Sequence, residues 1–275
     1  MLSYQHEYHV GNHADVLKHA VLAIVVRALQ HKPAPLRVID CHAGSGAYEL
    51  TSALTQRRRE FETGAGRIFG AREAPASLAP YLDALATLNP SGTLTRYPGS
   101  PQVALSLLRP IDQLELFELH PQALTTLRAC FAGRPQVHIH KRDAFEGLVA
   151  VVPPKERRGV ALIDPAYEDK DDFRRVAATV VAASRRWAHG VYLVWYPLLR
   201  QAGTAKLLSG LTKLALPRCY RIELVPDPSA AGLRGSGLVI VNLPHRVDAE
   251  LATLLPWLDD KLARSTQSTW HAGWL

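Results

Sequence analysis

Several short stretches of this chain combine acids, glycines and aromatics in patterns that can do chemistry. Leu162-Ile163-Asp164-Pro165-Ala166-Tyr167 ends an apolar run on an acid, a proline and, after one more residue, an aromatic. The exocyclic amino group of an adenine is a poor nucleophile, because its lone pair is delocalised into the ring. A carboxylate and a backbone carbonyl that accept its two hydrogens turn that nitrogen towards tetrahedral geometry, and the carboxylate can afterwards take the proton. Asp164, the carbonyl of Pro165 and the ring of Tyr167, stacked on the base, supply these parts. Asp-Pro also ends strands for conformational reasons alone, so the motif gains meaning only from its surroundings.

Those surroundings are ordered. Val38-Ile39-Asp40-Cys41-His42-Ala43-Gly44-Ser45-Gly46 runs from an apolar strand into a small-residue turn. Glycine there, Gly44 above all, lets the backbone approach a ligand at the carboxyl edge of a sheet. The dinucleotide fingerprint fails, because Glu49 stands where a third glycine would fall. Phe117-Glu118-Leu119-His120-Pro121 places an acid at the end of a second strand, suited to the ribose hydroxyls of an adenosyl cofactor. Lys141-Arg142-Asp143-Ala144-Phe145 places another after a third strand, suited to the amino group of the cofactor's adenine. Glycine turn, Glu118, Asp143 and Asp164 follow one another at the carboxyl ends of successive strands. Independent accidents do not produce that order.

The segment Tyr4–His19 interleaves Tyr, His and Lys, a mixture that stacks on bases and contacts phosphates. Its histidines, His6, His9, His13 and His19, match no metal-ligand spacing and have no CxxC beside them, so no metal is expected. Asn12 is a candidate helix cap. Tyr4 and His6, with Arg57-Arg58-Arg59 further on, are the candidate RNA contacts. The same arginines equally suit a plain solvated face.

Positioning such residues takes a sheet. Candidate strands are Leu36–Cys41, Leu114–Glu118, Val137–Lys141, Val160–Ile163, Val191–Trp195, Tyr220–Val225 and Leu238–Asn242, short and rich in Val, Ile and Leu. Helical periodicity lies between them, as at Phe173–Trp187 and Val247–Leu262. The alternation predicts an α/β fold with a doubly wound sheet. Only a loop, Pro226–Gly235, separates the last two strands, which suits antiparallel pairing at the sheet's end. Residues 50–94 break the rhythm and read as two helices with polar joints, an insertion between the first and second strands of a single domain spanning 1–275. The stretch Ser265–Leu275, polar with two tryptophans, carries no pattern that assigns it.

Composition bounds the rest. The chain has 275 residues and a formal net charge of +7, with arginine in pairs and triples. A basic protein attracts phosphate polyanions. Three isolated cysteines fit a reducing cytosol, and the polar start and the short apolar run Ala20–Val26 read as neither a signal peptide nor a membrane span. A cytoplasmic monomer is the expectation.

Taken together, these residues resemble the bacterial 23S rRNA adenine-N6 methyltransferase J family. The resemblance covers nearly the whole chain. It rests on LSYQHEYHVGNHADVLKH at the start, IDCHAGSGAYEL, RYPGSP at Arg96–Pro101, LFELHP, KRDAF, LIDPAY, LVWYP at Leu193–Pro197 and SGLVIVNLP at Ser236–Pro244. It implies a seven-stranded methyltransferase fold with a small helical insertion, S-adenosyl-L-methionine as cofactor and 23S ribosomal RNA as partner. It also implies cofactor contacts from His19, His42, Ser100, Glu118, Asp143 and Ala144, with Asp164 as proton acceptor. Lys18 neighbours the cofactor in the motif, and Tyr4 sits where the family meets its RNA. Ala166 departs from the family's usual second proline, which leaves the chemistry in place on a less rigid loop. Other functions fit the same motifs: an RNA-binding protein that has lost catalysis, a DNA adenine-N6 methyltransferase, or a protein-glutamine methyltransferase. The last usually has Asn where Asp164 stands, and the DNA enzymes often carry an added recognition domain that this sequence lacks.

Overall fold

A computed structural model of the chain describes residues 6–199, 203–213 and 218–275. Tyr4, a candidate RNA contact, lies outside the described residues. Helix α1 (His13–Gln30) begins after a single 3-10 turn at His6–Tyr8. The Asn12 side chain caps it, accepting from the backbone N–H groups of Ala14 and Asp15. Every residue from His13 to Val26 is buried. From Ala20 to Val26 it is apolar all round and must be covered all round, and α1 is the inner helix of one face.

The chain continues through β1 (Arg37–Asp40), β2 (Ala47–Glu49), α2 (Ala53–Arg58), α3 (Ala65–Ile68), α4 (Ala79–Leu88), β3 (Arg96–Pro98), α5 (Ser100–Leu107) and β4 (Gln113–Phe117). It then forms α6 (Pro121–Cys130), β5 (Val137–His140), α7 (Ala144–Val151), β6 (Gly159–Ile163), α8 (Asp172–Arg186) and β7 (Val191–Leu198). The last elements are α9 (Gly203–Lys213), β8 (Tyr220–Val225), β9 (Gly235–Val241), α10 (Val247–Leu262) and β10 (Thr269–Trp274).

The main sheet has the order β10-β8-β9-β7-β6-β1-β4-β5. The five strands from β7 to β5 are parallel, and β9, β8 and β10 each run antiparallel to their neighbours. Its parallel strands are covered on both sides. Alternate side chains of β1, Val38 and Ile39, enter two different apolar clusters, one with α1, α5 and α10 and the other with α8 and α9.

Three details differ from the sequence expectation. Among the described residues the main sheet has eight strands, not seven, because Thr269–Trp274 pairs along β8. That strand is an edge with one neighbour and much exposure, so its residues have no need of the apolar pattern that marks a buried strand. The β8–β9 hairpin is antiparallel as expected, yet β9 lies inside it, between β7 and β8. Residues 50–94 hold α2, α3 and α4 with 3-10 turns at Glu60–Thr63 and Ala76–Leu78, more pieces than the two helices expected. Gly64, tight against the backbone of Gly11 and Asn12, and Pro75 divide the segment. A small ribbon, β2 with β3, flanks it, and Leu78, Tyr81 and Leu85 tie it to the core of α1.

Strand order reverses between β1 and β6: the chain leaves β1 for β4 on one side and later returns to β6 on the other. Loops diverge at such a point and leave a crevice outside the carboxyl ends of the strands.

Candidate functional site

A cavity of about 480 Å³ occupies that crevice. Its walls include Lys18, His19, His42, Gly44, Ser100, Glu118, Asp143, Ala144, Asp164, Pro165 and Tyr167, together with His6. Residues from seven separate stretches of sequence thus meet in one place. Arg57, Arg58 and Arg59 are not among the walls. They stand at the end of α2, where Arg57 reaches the Tyr8 hydroxyl at 3.4 Å and Arg58 and Arg59 pair with Glu60 and Glu62. The arginines therefore adjoin the N-terminal turn that carries His6, outside the cavity.

The glycine turn is built for close contact. Gly44 and Gly46 have positive φ values of 59° and 83°, where a side chain is strained. The Glu118 carboxylate ties the turn to the end of β4: it accepts from the N–H of Gly44 at 2.8 Å and from that of His120 at 2.6 Å. Both oxygens keep a further lone pair for ribose hydroxyls. Asp143 caps α7 by accepting from the Phe145 N–H at 2.8 Å, and its other oxygen pairs with Arg175 at 2.8 Å. Burial acts to raise the Asp143 pKa, but Arg175 and the Phe145 N–H outweigh it and hold the carboxyl below its usual range. Arg175 also lies 4.1 Å over the Phe145 ring. Ser100 starts α5 directly after Gly99, whose N–H donates to the Gly46 carbonyl.

The deeper half of the cavity is charged. Lys18, on α1, donates to Asp164 at 2.6 Å and to Asp15 at 3.1 Å, with all three side chains at most 9% exposed. Burial alone would discharge the ammonium; the two carboxylates prevail and hold its pKa well above the ordinary lysine value. Asp15 in turn accepts from His6 at 3.0 Å and from the Gly11 N–H at 2.9 Å. His42 accepts from the Asp164 N–H through Nδ1 at 3.3 Å, which leaves the ring proton on Nε2. Burial lowers its pKa to about 4. His19 meets the Tyr97 hydroxyl at 2.9 Å, which meets that of Tyr81 at 2.8 Å; burial lowers the His19 pKa to about 3.

Tyr167 departs from the simplest picture of a stacking ring. Its φ is +53°, unusual outside glycine. Its hydroxyl donates to the Trp195 carbonyl at 2.6 Å, and its ring packs on Phe173 with 4.3 Å between centroids. The residue is 9% exposed and lines the cavity.

The site fits S-adenosylmethionine on its own chemistry. Among the described residues, the buried atoms Asp164 Oδ1 and His19 Nε2 have no hydrogen-bond partner, and both residues line the cavity. The acids Glu7, Asp15, Glu118, Asp143, Asp164, Glu168 and Asp172 outnumber Lys18, Arg142 and Arg175 there, which suits a ligand carrying a sulfonium and an ammonium.

Among families of known proteins, the one described as ribosomal RNA large subunit methyltransferase D, RlmJ, matches residues 33–275. Ribosomal RNA large subunit methyltransferase J of Escherichia coli strain K12 is 38% identical over 274 residues, covering 99% of this chain and 97% of that protein. This chain belongs to that family. The family's protein of the same name from Haemophilus influenzae is 36% identical over 278 residues, covering 100% of this chain and 99% of its own. A crystal structure of a protein from Legionella pneumophila superposes with a TM-score of 0.90 at 31% identity, covering 96% of this chain and 97% of that one. Membership in the family makes the chain a methyltransferase that uses S-adenosylmethionine. Among the described residues no helix is long and apolar enough to cross a membrane.

Sequence reasoning passed over Asp15, Asp40, Arg175 and Trp195. Asp15 reads as an ordinary first-turn acid of a helix and Arg175 as one of several arginines on an amphipathic one. Asp40 was visible within the strand-to-turn motif, but nothing in one sequence separates a strand-ending acid that caps a turn from one that faces a second carboxylate.

Proposed function

We propose that this chain methylates the exocyclic N6 of one adenine in 23S ribosomal RNA, acting as a monomer in the cytoplasm. The observation that carries the reading is the state of Asp164. One carboxylate oxygen is held by Lys18, while the other is buried, without a hydrogen-bond partner among the described residues, and beside Pro165 at the reversal point of the sheet. An oxygen so placed is an acceptor waiting for a donor, and an amino group brings two.

The cofactor, when bound, supplies an electrophilic methyl group. The residues of this chain do the rest. Glu118 holds the ribose, Asp143 and Ala144 meet the adenine of the cofactor, and His19, His42 and Ser100 enclose its amino-acid end. Asp164 and the Pro165 carbonyl accept the two hydrogens of the target amino group and so aim its lone pair, an interaction strongest in the transition state. Asp164 then takes the proton. Tyr167, locked by its bond to the Trp195 carbonyl, lies against the target base. The RNA lies over the N-terminal segment and the arginines of α2, with residues 50–94 as a subdomain that carries the basic surface. The target nucleotide leaves its stack to reach the cavity.

Mass spectrometry of nucleosides from 23S RNA, incubated with the protein and labelled cofactor, tests this. Label in N6-methyladenosine at a single position is expected. Label in another nucleoside, in DNA or in protein would overturn the substrate assignment.

A further inference from the structure

Asp40 is a buried acid beside the site that the reading above leaves without a task. It ends β1 as Asp164 follows β6, the neighbouring strand, and the register pairs Asp40 with Leu162. Alternation along each strand then puts Asp40 and Asp164 on the same side of the sheet, the side covered by α1. Asp40 is 1% exposed. Its Oδ1 accepts from the His42 N–H at 3.1 Å, the Ser100 hydroxyl faces the carboxylate, and among the described residues its Oδ2, like Oδ1 of Asp164, lies within no hydrogen-bond distance of a partner. Two orphan carboxylate oxygens on adjacent strands share one buried site.

Charge counting shows what this implies. Asp15, Asp40 and Asp164 surround a single ammonium, Lys18, whose ion pairs go to Asp15 and Asp164. Among the described residues Asp40 has no such partner. The groups that face it are Asp164 from the end of β6, Lys18 from α1, the Ser100 hydroxyl from α5, and Cys41 and His42 from its own turn. His42 is neutral near pH 7, and burial together with the two acids pushes the Cys41 thiol up. The Ser100 hydroxyl, the His42 N–H and the charge of Lys18 favour an Asp40 anion, but burial and Asp164 outweigh them. Burial and the charge of Asp164 accordingly lift the Asp40 pKa to about 7.

We propose that the Asp40–Asp164 pair stores one proton whenever the site lacks a sulfonium, and releases it when the sulfonium-bearing cofactor binds. The inference rests on the methyl-transfer reading, and it closes the charge balance of that reaction. When the amino nitrogen forms its bond to the methyl carbon, the carbon–sulfur bond breaks with its electron pair going to sulfur, and the positive charge passes from sulfur to that nitrogen. The N–H bond breaks in turn, and its proton passes to Asp164 and is kept by the pair with Asp40. The buried charge is the same before and after. Asp40 is thereby a positioning residue for the proton and does not need to touch the substrate.

Calorimetry at pH 7 in buffers of different ionisation enthalpy reads the proton directly, with no RNA present. S-adenosylmethionine binding is expected to release more protons than binding of S-adenosylhomocysteine, the neutral thioether. The ratio of the two affinities should rise with pH by up to about tenfold per unit around neutrality. In Asp40→Asn, which keeps the shape and the acceptor for His42, the difference should vanish and the ratio become flat. An infrared band of a protonated carboxyl, present with the thioether and lost with the sulfonium, gives the same answer in the wild-type protein should the variant not fold. Equal proton release for both ligands, no such band change, or an Asp40→Asn protein that keeps the wild-type difference would overturn the proposal. Methylation at a position other than adenine N6 would sink the substrate reading while leaving this one standing.

Discussion

Replacing Asp164 with alanine should damage the fold as well as the chemistry, and the two effects can be separated. Lys18 and Asp164 are 9% and 7% exposed and 2.6 Å apart. Removing one partner of a buried pair leaves an uncompensated charge, at a cost of about 3–5 kcal/mol. Asp15 still holds the ammonium at 3.1 Å, so the lower end, about 3 kcal/mol, is the reasoned value. For a domain of this size that is a fall in Tm of roughly 6–12 °C. Lys18→Met alone should also destabilise, because it leaves Asp15 and Asp164 together without their cation. The double variant Asp164→Ala, Lys18→Met removes both charges and should be more stable than the sum of the singles implies, with a coupling of about 1–3 kcal/mol. Methyl transfer, by contrast, should fall by about 10²–10⁴-fold in Asp164→Ala and stay low in the double variant. Thermal melts with single-turnover transfer assays decide the matter. Single variants that melt with the wild type, or strictly additive losses, would refute the buried-pair argument; near-normal transfer by Asp164→Ala would refute the assigned proton acceptor.

Other perturbations probe the rest of the site. Glu118→Ala removes charge-assisted bonds worth about 1.5–3 kcal/mol each and frees the Gly44 turn, so cofactor affinity measured by calorimetry should drop tenfold or more, as a rough estimate; an unchanged Kd in a folded variant would remove Glu118 from the ribose. Changing Arg57, Arg58 and Arg59 together to alanine should flatten the dependence of RNA binding on salt and spare cofactor affinity, since these side chains lie outside the cavity; an unaltered salt slope would make them a solvated face. His19 has a folded pKa of about 3 against 6.5 unfolded. Below pH 6.5 the unfolded chain therefore binds a proton that the folded chain refuses, and stability falls as pH drops towards 3, by about 1.4 kcal/mol per unit. Denaturant melts of His19→Gln should lack that increment between pH 6.5 and 5, and a variant with the full wild-type slope would contradict it.

Much of this protein is settled by local pattern. Runs such as Val160–Ile163 are buried on both faces, so they must be apolar at every position, and that is legible in one dimension. The turn at Gly44 and the acids Glu118, Asp143 and Asp164 are legible too, because a parallel sheet brings the ends of its strands to one edge whatever the details of packing. Asn12 is a cap by residue type alone. Tertiary structure decided the remainder. Whether Thr269–Trp274 is a strand depends on the open edge of β8, a partner far off in sequence. Whether the arginines of α2 enter the cavity or flank it depends on how the 59–65 turn seats against Gly11 and Asn12. The pairing of Lys18 with Asp164 spans 146 residues, and the isolation of Asp40 follows only from what α1, α5 and β6 bring to it. Residue type states which charges exist; distance and burial set what each one costs, and both are properties of the folded chain.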